Sequence, residues 1–390
     1  MYSTSVDQQT GNTFAWRPLA LLMPFQFIFG LIYSWSAIAP AIHIQAGWTH
    51  STLNLAFSLT PLALFPSVML AGRLLGRIAP KTMLAYALVL FTLGGAIGIG
   101  WAAPLPFLLG YSVLALGIGA GFSTAACIAF VGDLYPARRG ALGGALLALY
   151  GLSSIVSAPI FDTLNAHLGW RVALAVLLVI YATLGWIVWF GLPYVRPTPR
   201  KRASAHIPLT HLLRHRKLAL AVGGVLLAAP LGALSFAVIG QFVHANGLGR
   251  GFAVIVVAMM AFGNGVGRFG FGLLADWRSA RFSRDAVLAL NACAALLLLC
   301  ALQFPNPTLL ASYALLVGLS YGGLAGKLPA LAAHVVEQGH ADSVFGLLFG
   351  TLAFASFLGP LLGSVLGMHT ALFVVIVCSI PVAGLSLIDR

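Results

Sequence analysis

Charge is scarce in this 390-residue chain: Asp, Glu, Lys and Arg together make up 7% of it, where a water-soluble domain carries about 25%. Too few charges remain to cover a globular surface, which argues against a soluble enzyme or soluble binding module. Acidic residues are scarcer still, with 8 Asp and Glu against 21 Lys and Arg and a formal net charge of +13. Cysteine is limited to Cys127, Cys293, Cys300 and Cys378, all within apolar stretches and none in a CxxC pair, so neither a disulfide framework nor a zinc site is indicated. The run GIGAG at Gly117–Gly121 lies inside an apolar segment and lacks the strand-loop-helix setting of a dinucleotide loop, so it reads as close helix packing. No nucleotide cassette and no catalytic triad is found. No cofactor, metal or enzymatic activity is therefore expected. The polar start from Met1 to Trp16 lacks the charged region, short apolar core and cleavage site of a signal peptide, and reads as a tail.

What the chain has in abundance is apolar sequence, 60% of its residues. Segments of about 20 apolar residues cross a bilayer as helices, and twelve are present, near 18–42, 53–75, 82–102, 105–131, 140–162, 170–192, 218–243, 252–275, 285–304, 308–333, 344–366 and 368–388. The fold class is an all-α membrane protein of twelve transmembrane helices. Positive residues gather in alternate connections: with a cytoplasmic amino terminus, 17 of the 21 Lys and Arg fall on the inner side, which places both termini in the cytoplasm of a multi-pass inner-membrane protein. The charge thus reports topology and not nucleic-acid binding. The longest connection, with RPTPRKRASAH and LRHRK, divides the spans six and six. The expected organisation is a tail at 1–17, a six-helix bundle at 18–192, a cytoplasmic linker at 193–217 and a second bundle at 218–390. Gly72 and Gly272, Gly117 and Gly318, and Pro159 and Pro360 recur at a near-constant offset. Such repeats place a substrate near the midplane, between the halves.

Two cations lie inside spans, Arg268 and Lys327. An intramembrane charge is costly and usually faces a cavity on a substrate path, and a guanidinium offers a planar fork for a carboxylate. Lys327 shares a helix face with Ser320 and His334 at seven-residue spacing; a second anion contact and a side chain reaching for the surface both fit it. Asp7, Asp133, Asp162, Asp276, Asp285, Glu337, Asp342 and Asp389 all fall in tails, loops or helix ends. No mid-membrane carboxylate is left to balance the two cations, so an anion is the missing counter-charge. Tyr33, Trp35, Asn264 and Tyr321 are candidate cavity residues beside Arg268. Tyr111, Tyr150, Ser153 and Ser356 could add to the cavity wall, but taken singly such residues are better read as helix packing.

Twelve spans, the central linker and the loop after span 8, Gly272-Leu273-Leu274-Ala275-Asp276, resemble the major facilitator superfamily, whose loop signature is G-x-L-A-D-R-x-G. The matching stretch Gly72-Arg73-Leu74-Leu75-Gly76-Arg77 has Gly76 in place of the aspartate. Within that superfamily, Gly30–Ser36, Gly47-Trp48 and Leu55–Leu59 resemble oxalate:formate antiporters, and Arg268 resembles the carboxylate-binding arginine of that family and of monocarboxylate transporters. The antiporters' span-11 lysine is absent near Gly350–Ala353. Proton-coupled monocarboxylate transporters carry an aspartate four residues before the arginine, where this chain has Asn264.

The resemblance implies a secondary transporter that works by alternating access as a monomer. The expected cargo is a small organic anion, a mono- or dicarboxylate, and the protein's other partner is membrane lipid. Arg268 would hold one carboxylate and Lys327 the second. Asp276 is expected to lock the span-8 exit, with Gly272, Arg278, Gly72 and Arg77 as the surrounding gate. A larger amphipathic cargo such as a drug or siderophore is the alternative within transport, and a transporter-like ligand sensor the alternative outside it. With no titratable residue at Asn264, anion exchange or facilitated diffusion is expected in preference to proton symport, unless His244 or His334 carries the proton.

Overall fold

The computed structural model describes residues 16–384 apart from 102, 196–215, 246, 249, 305 and 336–340. The expected linker at 193–217 and tail at 1–17 fall largely outside these residues. Among the described residues twelve helical units follow one another. α1 runs Trp16–Phe29, continues through a 3-10 turn at Gly30–Ser34 and ends as Trp35–Ala46; α2 is His50–Leu74 and α3 Pro80–Gly100. α4 is built from Pro104–Phe107, Leu108–Gly119 and Ala120–Leu134, α5 is Arg139–Leu168 and α6 Trp170–Gly191. In the second half, α7 is Arg216–Ala245, α8 Arg250–Trp277, α9 Ala280–Gln303, α10 Pro307–Gly326 with Leu328–Val335, α11 Ala341–Leu366 and α12 Met368–Ser379. Eleven are long and apolar enough to cross a membrane; the twelfth is shorter.

Several helices begin before their apolar runs because a polar side chain caps them. Thr49 accepts from the Thr52 amide at 3.2 Å, Ser279 from Phe282 at 3.0 Å and Asn306 from Thr308 at 2.7 Å, each satisfying an amide that the first helical turn leaves without a partner. Ser279 explains why α9 starts at Ala280, five residues before the expected edge at 285.

The repeat read from the sequence is also present in the backbone. Among described residues the left-handed glycines form two pairs: Gly47 and Gly247 at φ 68° and 72°, and Gly169 and Gly367, both at φ 78°. Side chains rarely adopt this conformation. The first pair turns the chain between helices 1 and 2 and between 7 and 8; the second turns it between 5 and 6 and between 11 and 12. Gly117 of α4 presses on α2 at Thr60 and Ala63, as Gly318 of α10 presses on α8 at Met260 and Asn264. The same small residue lets the same helix pair approach in each half.

The halves meet along two seams, α5 with α8 and α2 with α11, at the ends nearest the linker. Gly140 and Gly144 of α5 touch Gly272 of α8. In the other seam Gly346 and Gly350 of α11 touch Val68, Met69 and Phe65 of α2. One apolar core joins both halves on this linker side, taking in Leu22, Phe91 and Leu147 together with Val225, Leu324 and Phe345, and in the first half it continues to the opposite face at Trp48, Phe107 and Trp170. Toward the opposite face the second half keeps a core of its own, around Leu234, Val256, Leu298, Tyr313 and Leu372. The halves are thus packed together on the linker side and have separate cores beyond.

Candidate functional site

Arg268 sits at the level where the linker-side packing ends. It is 3% exposed, and three elements fix its guanidinium. Nε donates to Oδ1 of Asn264, one turn earlier in α8, at 3.0 Å; Nη1 donates to the Leu147 carbonyl of α5 at 3.1 Å; Nη2 donates to the Tyr33 hydroxyl of α1 at 2.9 Å. A guanidinium has five N–H groups, so one on each terminal nitrogen is left over. No carboxylate pairs with Arg268 among the described residues. Asn264 Nδ2 is also buried, with no hydrogen-bond partner among the described residues. Gly151 of α5 leaves space beside this polar group: a Cβ there would lie 3.4 Å from both Arg268 Nε and Asn264 Nδ2.

Aromatic rings from both halves surround the charge. The guanidinium carbon lies 5.8 Å and 5.7 Å from the ring centres of Tyr33 and Tyr150, within cation–π range. Tyr33 packs against Tyr150 at 5.7 Å and against Phe236 of α7 at 6.2 Å, and Phe236 meets Tyr321 of α10 at 5.7 Å. The Tyr321 hydroxyl bonds Ser356 of α11 at 2.6 Å. Tyr33, Asn264 and Tyr321 thus gather with Arg268. Phe236 was not expected there: a phenylalanine in an apolar span has the same sequence signature whether it faces lipid or a site.

Trp35 and Lys327 lie elsewhere. Trp35 packs within the first half, 6.2 Å from Phe107 and 6.5 Å from Tyr111, in a cluster that includes Trp48 and Trp170. Lys327 is 1% exposed and belongs to the α10 face turned toward α9. On that face Ser320 accepts from Asn291 at 3.4 Å and Gly323 abuts Phe271 and Val287, and Arg284 and Asp285 of α9 are the charges within reach of Lys327. Tyr321 occupies a different face. Lys327 thus stands on a face of α10 other than that of Tyr321, beside Arg284 and Asp285.

The gate residues divide in the same way. Asp276, at the end of α8, accepts from the Gly140 amide at 3.0 Å and the Ala141 amide at 2.6 Å, so its carboxylate lies across the amino end of α5 in the other half. Charge-assisted bonds to the first turn of a helix suit a carboxylate. Gly272 makes room for this by touching Gly140, and Gly72 accepts through its carbonyl from Ser343 of α11 at 3.4 Å. Arg278 instead lies over the rings of Trp277 and Phe282, at 5.4 Å and 5.8 Å, and Arg77 is exposed. Neither arginine is placed on the opposite half.

Residues 22–360 match the sequence profile of the Major Facilitator Superfamily. The chain belongs to the major facilitator superfamily. It is accordingly a multi-pass membrane protein with a transporter-type fold. Similar solved structures include a superfamily transporter, FucP, in the outward conformation, with TM-score 0.71 and 17% identity over 96% of this chain and 98% of that one. The E. coli fucose:proton symporter FucP, in a variant form, gives TM-score 0.71 and 16% identity over the same shares. At that identity the likeness concerns the superfamily fold alone. No curated protein sequence matches the chain.

Proposed function

We propose that this superfamily member is a secondary transporter for a small organic anion, with Arg268 as the group that holds one carboxylate. The observation that carries the reading is a buried guanidinium, placed between the halves, with two N–H groups left over and no carboxylate partner among the described residues. A buried charge without a counter-ion is unfavourable, and a carboxylate cargo would supply one. Tyr33, Tyr150, Phe236 and Tyr321 would enclose its organic part. With Lys327 turned toward α9, a single cation serves the site, so monocarboxylates are expected to outperform dicarboxylates.

The proposed cycle is alternating access about this point, with the linker face cytoplasmic and the Asp276 contact holding it shut in the state described here. A neutral polyol is the second reading, favoured by the ring of tyrosines, which offers stacking faces and hydroxyls. Uptake of labelled mono- and dicarboxylates, sugars, dyes and siderophores into liposomes separates these readings. Carboxylate uptake lost in Arg268→Gln supports the anion; sugar uptake, or carboxylate uptake that survives that change, would sink it.

A further inference from the structure

Between Arg268 and the Asp276 contact, the packed linker side is not wholly apolar. Along α5 the order is Leu147, whose carbonyl holds Arg268; Gly143, which meets Ile128 of α4 and Pro329 of α10; and Gly140, whose amide donates to Asp276. Ile128 therefore stands at the level between the site and the lock. Beside it on α4 is Cys127, with Ser123 one turn away on the same face. Gln26 of α1, about two turns toward the linker from Tyr33, comes up to both of them. Gln26, Ser123 and Cys127 are all 0% exposed.

The packing does not serve these polar groups. Neither the nitrogen nor the oxygen of the Gln26 amide has a hydrogen-bond partner among the described residues, and neither has the Ser123 hydroxyl. The Cys127 thiol that both approach is a weak donor and a weak acceptor, and neither contact has hydrogen-bond geometry. A glutamine amide donates twice and accepts twice, so leaving it unpaired among apolar neighbours is unfavourable. An apolar side chain of the same length would fill the position without that penalty. A buried polar group of this kind asks for a reason, and its place between site and lock supplies one.

We infer that Gln26, with Ser123 beside it, is the next contact for the cargo between Arg268 and the linker face, engaged when the seams open and left unpaired when they close. The inference rests on the transport reading, with Arg268 as the first contact. A carboxylate leaving the guanidinium passes a level otherwise walled by Ile128, Gly143 and Pro329. There an amide N–H and a hydroxyl can take its oxygens without a counter-charge, a weaker hold than a charged pair and one suited to release. The same groups act on the closed state from the other side: unpaired, they raise its free energy, and opening relieves them.

The test keeps Cys127 as the sole thiol, through Cys293→Ala, Cys300→Ala and Cys378→Ala at three positions that are at least partly exposed. Proteoliposomes receive a water-soluble, membrane-impermeant maleimide on one side at a time. Cys127 should label from the linker side, because opening brings water to the cluster. Labelling should be about fivefold slower in Gln26→Met, which keeps the length of the side chain and removes the amide. No labelling from the linker side, or an equal rate in Gln26→Met, would overturn the inference whatever the cargo proves to be. Uptake of labelled lactate and the thermal midpoint are read on the same proteins. Gln26→Met should lower the maximal rate about tenfold while the half-saturating concentration stays within about twofold, since Arg268 is intact, and the midpoint should hold or rise. Gln26→Asn, which retains an amide, should recover part of the rate. An unchanged rate, or a rate lost in step with a falling midpoint, would assign Gln26 to packing and overturn the inference. If lactate is not carried by any of these proteins, the anion reading fails by itself, and the labelling pair still decides the role of Gln26.

Discussion

Arg268 ties α8 to α5 and α1 through one planar group, and that geometry is what a lysine cannot copy. An ammonium carries the charge but not the fork. Arg268→Lys should lower apparent carboxylate affinity roughly tenfold to a hundredfold, the equivalent of about 1.5–3 kcal/mol for a charged hydrogen bond. Tyr33→Phe removes a single bond at 2.9 Å and should cost only about two- to tenfold. Equal losses in the two variants, measured by concentration-dependent uptake, would mean that Tyr33 does more than hold the guanidinium. The backbone behind the arginine is as constrained as its side chain. A Cβ on Gly326 of α10 would run into the Arg268 carbonyl, whereas one on Gly270 of α8 meets nothing within 4 Å. Gly326→Ala is therefore expected to destabilise the protein by about 1–3 kcal/mol, as overpacked sites do, and Gly270→Ala to be neutral or stabilising by up to about 1 kcal/mol through helix propensity. Denaturation of the two variants side by side checks the contrast.

Two seams join the halves, and they are built differently. The α5–α8 seam is fastened by the Asp276 carboxylate on two amides. In the α2–α11 seam the corresponding position is Gly76, which is exposed with open space around it, and the contact rests on glycine packing and the Ser343–Gly72 bond. Asp276→Asn exchanges a charged acceptor for a neutral one and should weaken the closed linker side by about 1–3 kcal/mol. Ile128 lies where Gly143 of α5 meets Pro329 of α10 and can report it. With the four native cysteines replaced, an Ile128→Cys thiol should label faster from the linker face once Asp276→Asn is added; unchanged labelling would remove Asp276 from the gate.

Much at this scale was legible in the sequence. Apolar length located the helices to within a few residues because bilayer thickness selects for it, and the Gly72–Gly272 and Gly117–Gly318 offsets marked the points where helices touch. The early start of α9 was missed because Arg281 and Arg284 interrupt the apolar signal while Ser279 caps the helix regardless. The face shared by Ser320, Lys327 and His334 was readable from spacing; its direction was not, since that depends on Asn291 and Arg284 in a helix with no sequence link to it. The Leu147 carbonyl that holds Arg268 has no side-chain signature at all.

For the molecule as a whole, the question is what drives a cycle. Asn264 Oδ1 holds Arg268 Nε at 3.0 Å, in the position where a carboxylate would pair with the arginine and could take up a proton. An amide cannot titrate. His334 is exposed and lines a cavity at the linker end, apart from Arg268, and the His244 side chain lies outside the described residues. Anion exchange or facilitated diffusion is therefore expected: in liposomes containing a pH dye, a trapped counter-anion should accelerate uptake without stoichiometric proton movement. External alkalinisation in step with uptake, abolished by His244→Ala or His334→Ala, would show a histidine carrying the proton instead.

The unbroken apolar core on the linker side bears on how the protein comes apart. Residues as distant in sequence as Leu22 and Phe345 share it, so amides in the linker-side turns of both halves should exchange with deuterium only through one joint opening. The separate core around Leu234, Tyr313 and Leu372 can loosen by itself. Deuterium should enter the far part of α7 and α12 as an independent, less protected group, at a rate that closure of the opposite side leaves unchanged.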